Sequence, residues 1–273
     1  MTGSQQRVLG ALATVALLVT LPSCSNQAVV QSDSSAIHWA AARDQYAAGQ
    51  YLKAIGSLDR LLQSDNQYTS RALPFSIVLT AGVAAGYMEL ADNYSAGARA
   101  NHAQALAFQR KASDYRAQAN HMVLQFAQNS KKMTVVQGDS VHLAFGPPKG
   151  SSSIPSAITQ ISRGIELSRA DEEAAVTAMI DRGVLTAVCD TAGAPSNLAK
   201  ASEILQRGDF LVRRAKFMKA ISDQLERASQ LYARNKLDDS SKMATLRELA
   251  QSALKDSEGG SHPAAMVMQV AGR

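Results

Sequence analysis

The stretch PFSIVLTAGVAAGYMELAD, from Pro74 to Asp92, has nineteen residues and only two charged side chains, Glu89 and Asp92. As a helix it would be roughly 28 Å long at 1.5 Å per residue, close to the ~30 Å hydrocarbon core of a bilayer. Such a segment has to lie in a membrane or at the centre of a folded body, and the rest of the chain must be arranged around it. Gly82, Gly86 and the alanines near them make it only weakly hydrophobic, and small residues suit helices that pack closely. The expectation is therefore a central buried helix.

The flanking sequence supplies helices to cover it. Ser34 or Ser35 caps a helix to about Ala48, with Ile37, Ala41 and Tyr46 toward its buried side, and Gly49 ends it. A second helix, Tyr51 to Leu62, repeats Ala54, Ile55, Leu58, Leu61 and Leu62 at helical spacing. Ser95 to Gln128 reads as one long helix or two broken near Ser113, with Ala105, Phe108, Ala112, Tyr115 and Ala119 along one side. Further helices are expected over 155–163, 168–188, 196–207, 209–235 and 239–256, with Ser168, Ser196 and Asp239 as caps. Between the two sets, MTVVQGDSVHLAF holds two short β-favouring runs around Gly138-Asp139, able to turn a hairpin. GPPKGSSSIPS, from Gly146 to Ser156, follows as the clear linker.

The fold class expected is all-α, built of helical hairpins, with one short β-hairpin near 133–145. The organisation expected is a leader over 1–23, a tether over 24–33 and an N-terminal helical lobe over 34–130. A hairpin and linker over 131–156, a C-terminal lobe over 157–258 and a tail over 259–273 complete it. The linker either separates two lobes or crosses the surface of one body.

YAAGQYLKAIGSLDRLL resembles the centre of a tetratricopeptide repeat, with Tyr46, Gly49, Tyr51, Ala54, Ile55, Leu58 and Leu61 at matching positions. The resemblance implies a tight inter-helix turn at Gly49 and close approach of the helices at Ala54. It covers roughly residues 35–63, about a tenth of the chain. A partial echo, ILQRGDFLVRRA, offers Leu205, Gly208 and Phe210, but Arg213 stands where a small residue belongs. The two glycines are 159 residues apart, which is not a multiple of the ~34-residue period, so no regular array is expected.

At the N-terminus a single cation, Arg7, precedes the apolar run Val8–Leu21, too short to span a bilayer and arranged as in a secretory leader. Leu21-Pro22-Ser23-Cys24 then resembles the lipobox of bacterial lipoproteins. Leu21, Ser23 and Cys24 match, while Pro22 departs from the usual small residue. The resemblance implies a diacylglyceryl group on the Cys24 thiol, cleavage before it, acylation of the new amine and a lasting membrane anchor. The absence of Asp at Ser25 implies the outer membrane, facing the periplasm. The alternative is an ordinary leader cut after Ser25, releasing a soluble periplasmic protein. Ser25 to Asp33 would reach at most ~30 Å, enough to hold a folded body just off the bilayer.

The chain has two cysteines, so with Cys24 lipidated Cys189 has no partner for an intramolecular disulfide and reads as a packed small hydrophobe. A net charge of +5 over 273 residues is too diffuse to argue nucleic-acid binding. The cluster Arg213, Arg214, Lys216 and Lys219 reads as a solvated helix face or a contact for an acidic partner. No two of His38, His102, His121, His142 and His262 share the i, i+4 spacing of a helical metal site, and no metal or cofactor is expected. Asp171, Glu172 and Glu173 fit a helix's first turn, where negative charge is favourable. No nucleophile elbow, phosphate loop or dinucleotide fingerprint is present in the sequence.

The function these readings favour is a lipid-anchored periplasmic helical scaffold or accessory protein, not an enzyme. Its partners would belong to an envelope assembly, secretion or transport complex. The alternatives are a small-molecule-binding accessory lipoprotein and, further off, an enzyme acting on cell wall or lipid.

Overall fold

The computed structural model describes residues 34–135, 138–149, 156–195, 197–206, 210–234 and 240–259. The leader, the Cys24 lipidation site, the tether and the tail beyond Gly259 lie outside the described residues. Among the described residues the fold is all-α with one two-stranded sheet: α1 (Ser34–Ala47), α2 (Tyr51–Leu61), α3 (Thr69–Ala100), α4 (Ala105–Val135), β1 (Ser140–Leu143), α5 (Ser156–Ser162), α6 (Arg169–Thr191), α7 (Leu198–Leu205), β2 (Phe210–Arg213), α8 (Arg214–Arg234) and α9 (Ser240–Gly259).

The apolar segment is the inner part of α3, a 32-residue helix buried on nearly every side. It is the one described helix long and apolar enough to cross a membrane, and 89% of its most apolar window is buried by other elements. A helix apolar all round belongs in a core, and here α4, α6, α2 and α5 cover it. Its glycines explain how closely α6 approaches. A Cβ on Gly82 would lie 2.5 Å from the Val184 Cα, and one on Gly86 2.6 Å from the Met179 carbonyl oxygen. Gly183 on α6 faces the Gly82 carbonyl just as tightly.

The stretches 34–130 and 157–258 therefore share one core, running from Trp39 on α1 to Ala253 on α9. A smaller cluster forms where α6 meets α7: Leu185, Cys189, Ala192, Ala194 and Ala201.

Several local expectations are corrected. On α1 the buried residues are Trp39, Ala42 and Tyr46, while Ile37 is 56% exposed. Of the two readings for Ser95–Gln128, one long helix or two broken near Ser113, neither holds: the helix runs on through Ser113 and the break falls at Asn101, whose side chain accepts the Gln104 N–H and donates to the Gly164 carbonyl at 2.8 Å. Those bonds let Asn101 leave the helix and open α4 through a short 3-10 turn, His102–Gln104. Asn197 caps α7, its side chain accepting the Lys200 N–H; Ser196, the expected cap, and Asp239 lie outside the described residues. Ser168 caps α6 as expected.

The β element also differs in its partner. Residues up to Val135 continue α4, and β1 pairs antiparallel with β2, Val141 opposite Val212 and Leu143 opposite Phe210. That pairing buries Val141, Leu143 and Val212. It also makes Phe210–Arg213 a strand, so the second repeat-like echo does not form a helical hairpin, and Gly208 lies outside the described residues.

Candidate functional site

The repeat-like residues do form a helical hairpin. Gly49, at φ +76°, ends α1 with its N–H on the Tyr46 carbonyl while the Gln50 N–H reaches the Gln45 carbonyl, a glycine cap that folds α2 back. Ala54 and Leu58 are fully buried at the interface. What the spacing did not foretell is the use of the two tyrosines. Tyr46 Oη donates to the Gly146 carbonyl at 2.9 Å, and Tyr51 Oη donates to the Lys149 carbonyl at 2.7 Å. Phe145 stacks on Phe75 with centroids 4.9 Å apart. The start of the Pro-rich linker is thus laid across the hairpin, held at Gly146 and Lys149.

A second cluster gathers on Glu172, in the first turn of α6. Its carboxylate accepts from Lys111 Nζ at 2.6 Å, Tyr94 Oη at 2.8 Å and Tyr115 Oη at 3.4 Å. Burial would raise the Glu172 carboxyl, but the Lys111 and tyrosine hydrogen bonds and the Lys111 charge outweigh it and hold it below the ordinary value. Burial, with the Glu172 carboxylate beside them, pushes both phenols well up, so they stay protonated donors. The cluster fastens α6 to α3 and α4, which goes beyond the helix-dipole role expected for Glu172. The basic cluster is split in a similar way. Arg214 is largely buried, bound to Asp256 Oδ2 at 2.6 Å and the Met133 carbonyl at 2.9 Å, whereas Lys219 pairs with Asp223 at the surface.

The third feature is a cavity of about 220 Å³ between α3, α4, α6 and α8. It lies where α3 and α6 touch at glycines and then present small side chains, Ala81, Ala84 and Ala187, to part of the space beyond. Met88, Val123 and Phe126 close the apolar wall. Two ion pairs stand at its edge: Arg182 with Glu89, joining α6 to α3, and Arg227 Nη2 with Asp190 Oδ2 at 2.7 Å, joining α8 to α6. Gln224 of α8 belongs to the same lining, 8% exposed; its amide oxygen and nitrogen are closed off from solvent and neither is hydrogen-bonded to protein. Leaving such a buried group unpaired costs about 1–3 kcal/mol. The signal was present in the sequence: Phe217, Ile221, Gln224 and Ala228 share one face of α8, so a polar residue holds a core position.

Cys189 is buried, and burial, then the Asp190 charge, push its thiol up, away from thiolate chemistry. Of the histidines, His38, His102, His121 and His142 lie on four different elements and His262 outside the described residues. Among the described residues no group of three His, Cys, Asp or Glu side chains is arranged to hold a metal.

No protein-family model, curated protein or solved structure matches this chain.

Proposed function

We propose that this chain is a lipid-anchored, periplasm-facing accessory protein of the cell envelope whose helical body works by binding a small molecule. The observation that carries the reading is the cavity of about 220 Å³ between α3, α4, α6 and α8, walled largely by apolar side chains with charged groups among them. The lipobox-like Leu21-Pro22-Ser23-Cys24 supports the anchor and address. Native mass spectrometry of protein extracted gently from membranes tests both parts. An acylated Cys24 and a bound mass released on denaturation are expected. A terminus at Asn26 without lipid would overturn the anchor, and protein carrying nothing and taking up no small ligand would overturn the binding role.

A second reading, a scaffold for an envelope complex, has its own support. The hairpin of Tyr46 and Tyr51 already binds a Pro-rich stretch of its own chain, so its surface is suited to such a segment from a partner. Recovery of a stoichiometric membrane complex that is lost in Tyr46→Phe/Tyr51→Phe protein would favour it. Unchanged recovery from that variant would remove the hairpin from the reading.

A further inference from the structure

Two connections past the end of α3 carry aliphatic side chains in water. Leu106, in the first turn of α4, is 73% exposed, the most of any large hydrophobic among the described residues, and Ile165, between α5 and α6, is 48% exposed. The two connections are fastened together: Asn101 Nδ2 donates to the Gly164 carbonyl at 2.8 Å, and Gln104 Nε2 to Glu166 Oε2 at 2.9 Å. Ile165 shares a small cleft with Ala107 and Phe108 of α4, and Ala100, Ala103 and Ala107 are exposed beside it, so the aliphatic pair extends into a patch. Three exposed arginines fringe this tip. Arg99 is in the last turn of α3, Arg110 one turn beyond Leu106, and Arg163 next to Gly164. Among the described residues none of the three is in an ion pair, whereas Lys111 and Arg169 are balanced by Glu172 and Glu173. Glu166 and Asp171, the other acids on these turns, accept hydrogen bonds from Gln104 and Ser168. A stable protein interface takes about 800 Å² from each partner, well beyond two aliphatic side chains and three alanines. An anionic bilayer asks for less: a few apolar side chains that enter the acyl boundary, and cations that stay at the phosphates.

We propose that the tip made by the α3–α4 and α5–α6 connections is a membrane-contact edge, which dips Leu106 and Ile165 into an anionic phospholipid surface while Arg99, Arg110 and Arg163 hold its phosphates. The inference goes beyond the readings above and depends on neither the cavity nor Cys24. It fixes something a tether alone cannot. α1 packs at the start of α3, with Trp39 stacked on Tyr68, and α3 runs roughly 48 Å from there to the tip. A body held by lipid through a tether joined at Ser34 is free to swing. A second contact at the far end of α3 lays that helix along the bilayer and gives the body one orientation on it.

The test reads the tip itself, because an anchored protein stays on any vesicle. The chain has one tryptophan, Trp39, 8% exposed against Tyr68 and Phe75, so the parent protein supplies the background for a reporter at Leu106→Trp. The full mature protein is placed on vesicles with brominated acyl chains, either phosphatidylglycerol with phosphatidylethanolamine or phosphatidylcholine alone. The Leu106→Trp emission is expected to shift to the blue and to be quenched on the anionic vesicles, with little quenching on phosphatidylcholine. Adding Arg99→Gln/Arg163→Gln should lower the inserted-to-free ratio roughly tenfold, and raised salt should act in the same direction. Circular dichroism verifies the fold, and should Leu106→Trp fail to fold, Ile165→Trp carries the same reporter from its exposed loop. Quenching on neither vesicle would overturn the lipid contact and leave the patch to a protein partner. Equal quenching on both, or quenching undiminished by Arg99→Gln/Arg163→Gln, would overturn the anionic assignment. Each of these results leaves acylation of Cys24 and ligand binding where native mass spectrometry puts them, so the two sets of conclusions fail separately.

Discussion

Gly183 on α6 rests against the backbone of Gly82 on α3, close enough that a Cβ on either residue would strike the facing helix. Gly183→Ala is therefore expected to push the two helices apart and destabilise the body by about 1–3 kcal/mol, as overpacking does. Gly56 gives the contrasting case. It lies inside α2, exposed, with nothing within 4 Å of an added Cβ, so Gly56→Ala should stabilise by about 0.5–1 kcal/mol. Urea unfolding of the two variants should move in opposite directions. A neutral Gly183→Ala would refute the close crossing.

The Glu172 cluster sets an acid limit on stability. Its carboxyl is held below the usual value of 4.5 by Lys111 and the phenols of Tyr94 and Tyr115. A group whose folded-state pKa is lowered contributes fully above its unfolded pKa, and the contribution is lost as pH falls through the lower folded value. Glu172→Gln should therefore cost about 1 kcal/mol near neutral pH, given the partial exposure of Lys111. It should also flatten the acid limb of the stability curve. A variant whose acid limb matches the parent protein's would remove Glu172 from that role.

What was legible in the sequence follows from how local each cause is. The burial of α3 could be read because its composition allows few alternatives, and the α1–α2 hairpin because Gly49 and the Tyr51–Leu61 stripe are local signals. The partner of β1 could not. Val141 and Leu143 mark a strand, but nothing near them names Val212 and Phe210 about seventy residues on. The break at Asn101 was missed for a similar reason: an Ala- and Gln-rich stretch has no breaker of its own, and Gly164 helps hold Asn101 out of the helix. Gln224 was legible as a polar residue on an apolar face. That its amide would meet no protein partner depends on how α3, α4 and α6 are placed around it.

Cys189 should behave as packing. With 3% exposure and a thiol pushed up by burial, it should resist maleimide in the folded protein and react only on unfolding. Cys189→Ala should cost about 1–2 kcal/mol for the vacated volume and leave ligand binding unchanged. Labelling as fast as that of an unfolded control would show an accessible thiol and reopen a chemical role for it.

The last prediction concerns the linker on the α1–α2 hairpin. Tyr46 and Tyr51 each hold it by one phenolic hydrogen bond to a carbonyl, at Gly146 and Lys149, while Phe145 is buried against Phe75 and Tyr46. Each Tyr→Phe change removes one hydrogen bond but keeps the ring, so the fold should lose only about 0.5–1.5 kcal/mol per site. The local effect should exceed the global one, because Gly146–Lys149 has no sheet or helix bonds to fall back on. In the double variant, tryptic cleavage after Lys149 should quicken at least tenfold, while hydrogen exchange in the centre of α3 should change only as far as the small global loss requires. Equal increases in both would mean that the segment opens only with the whole body. No increase in cleavage would mean that Phe145 alone secures the segment, and that the tyrosines of the repeat-like hairpin hold nothing there.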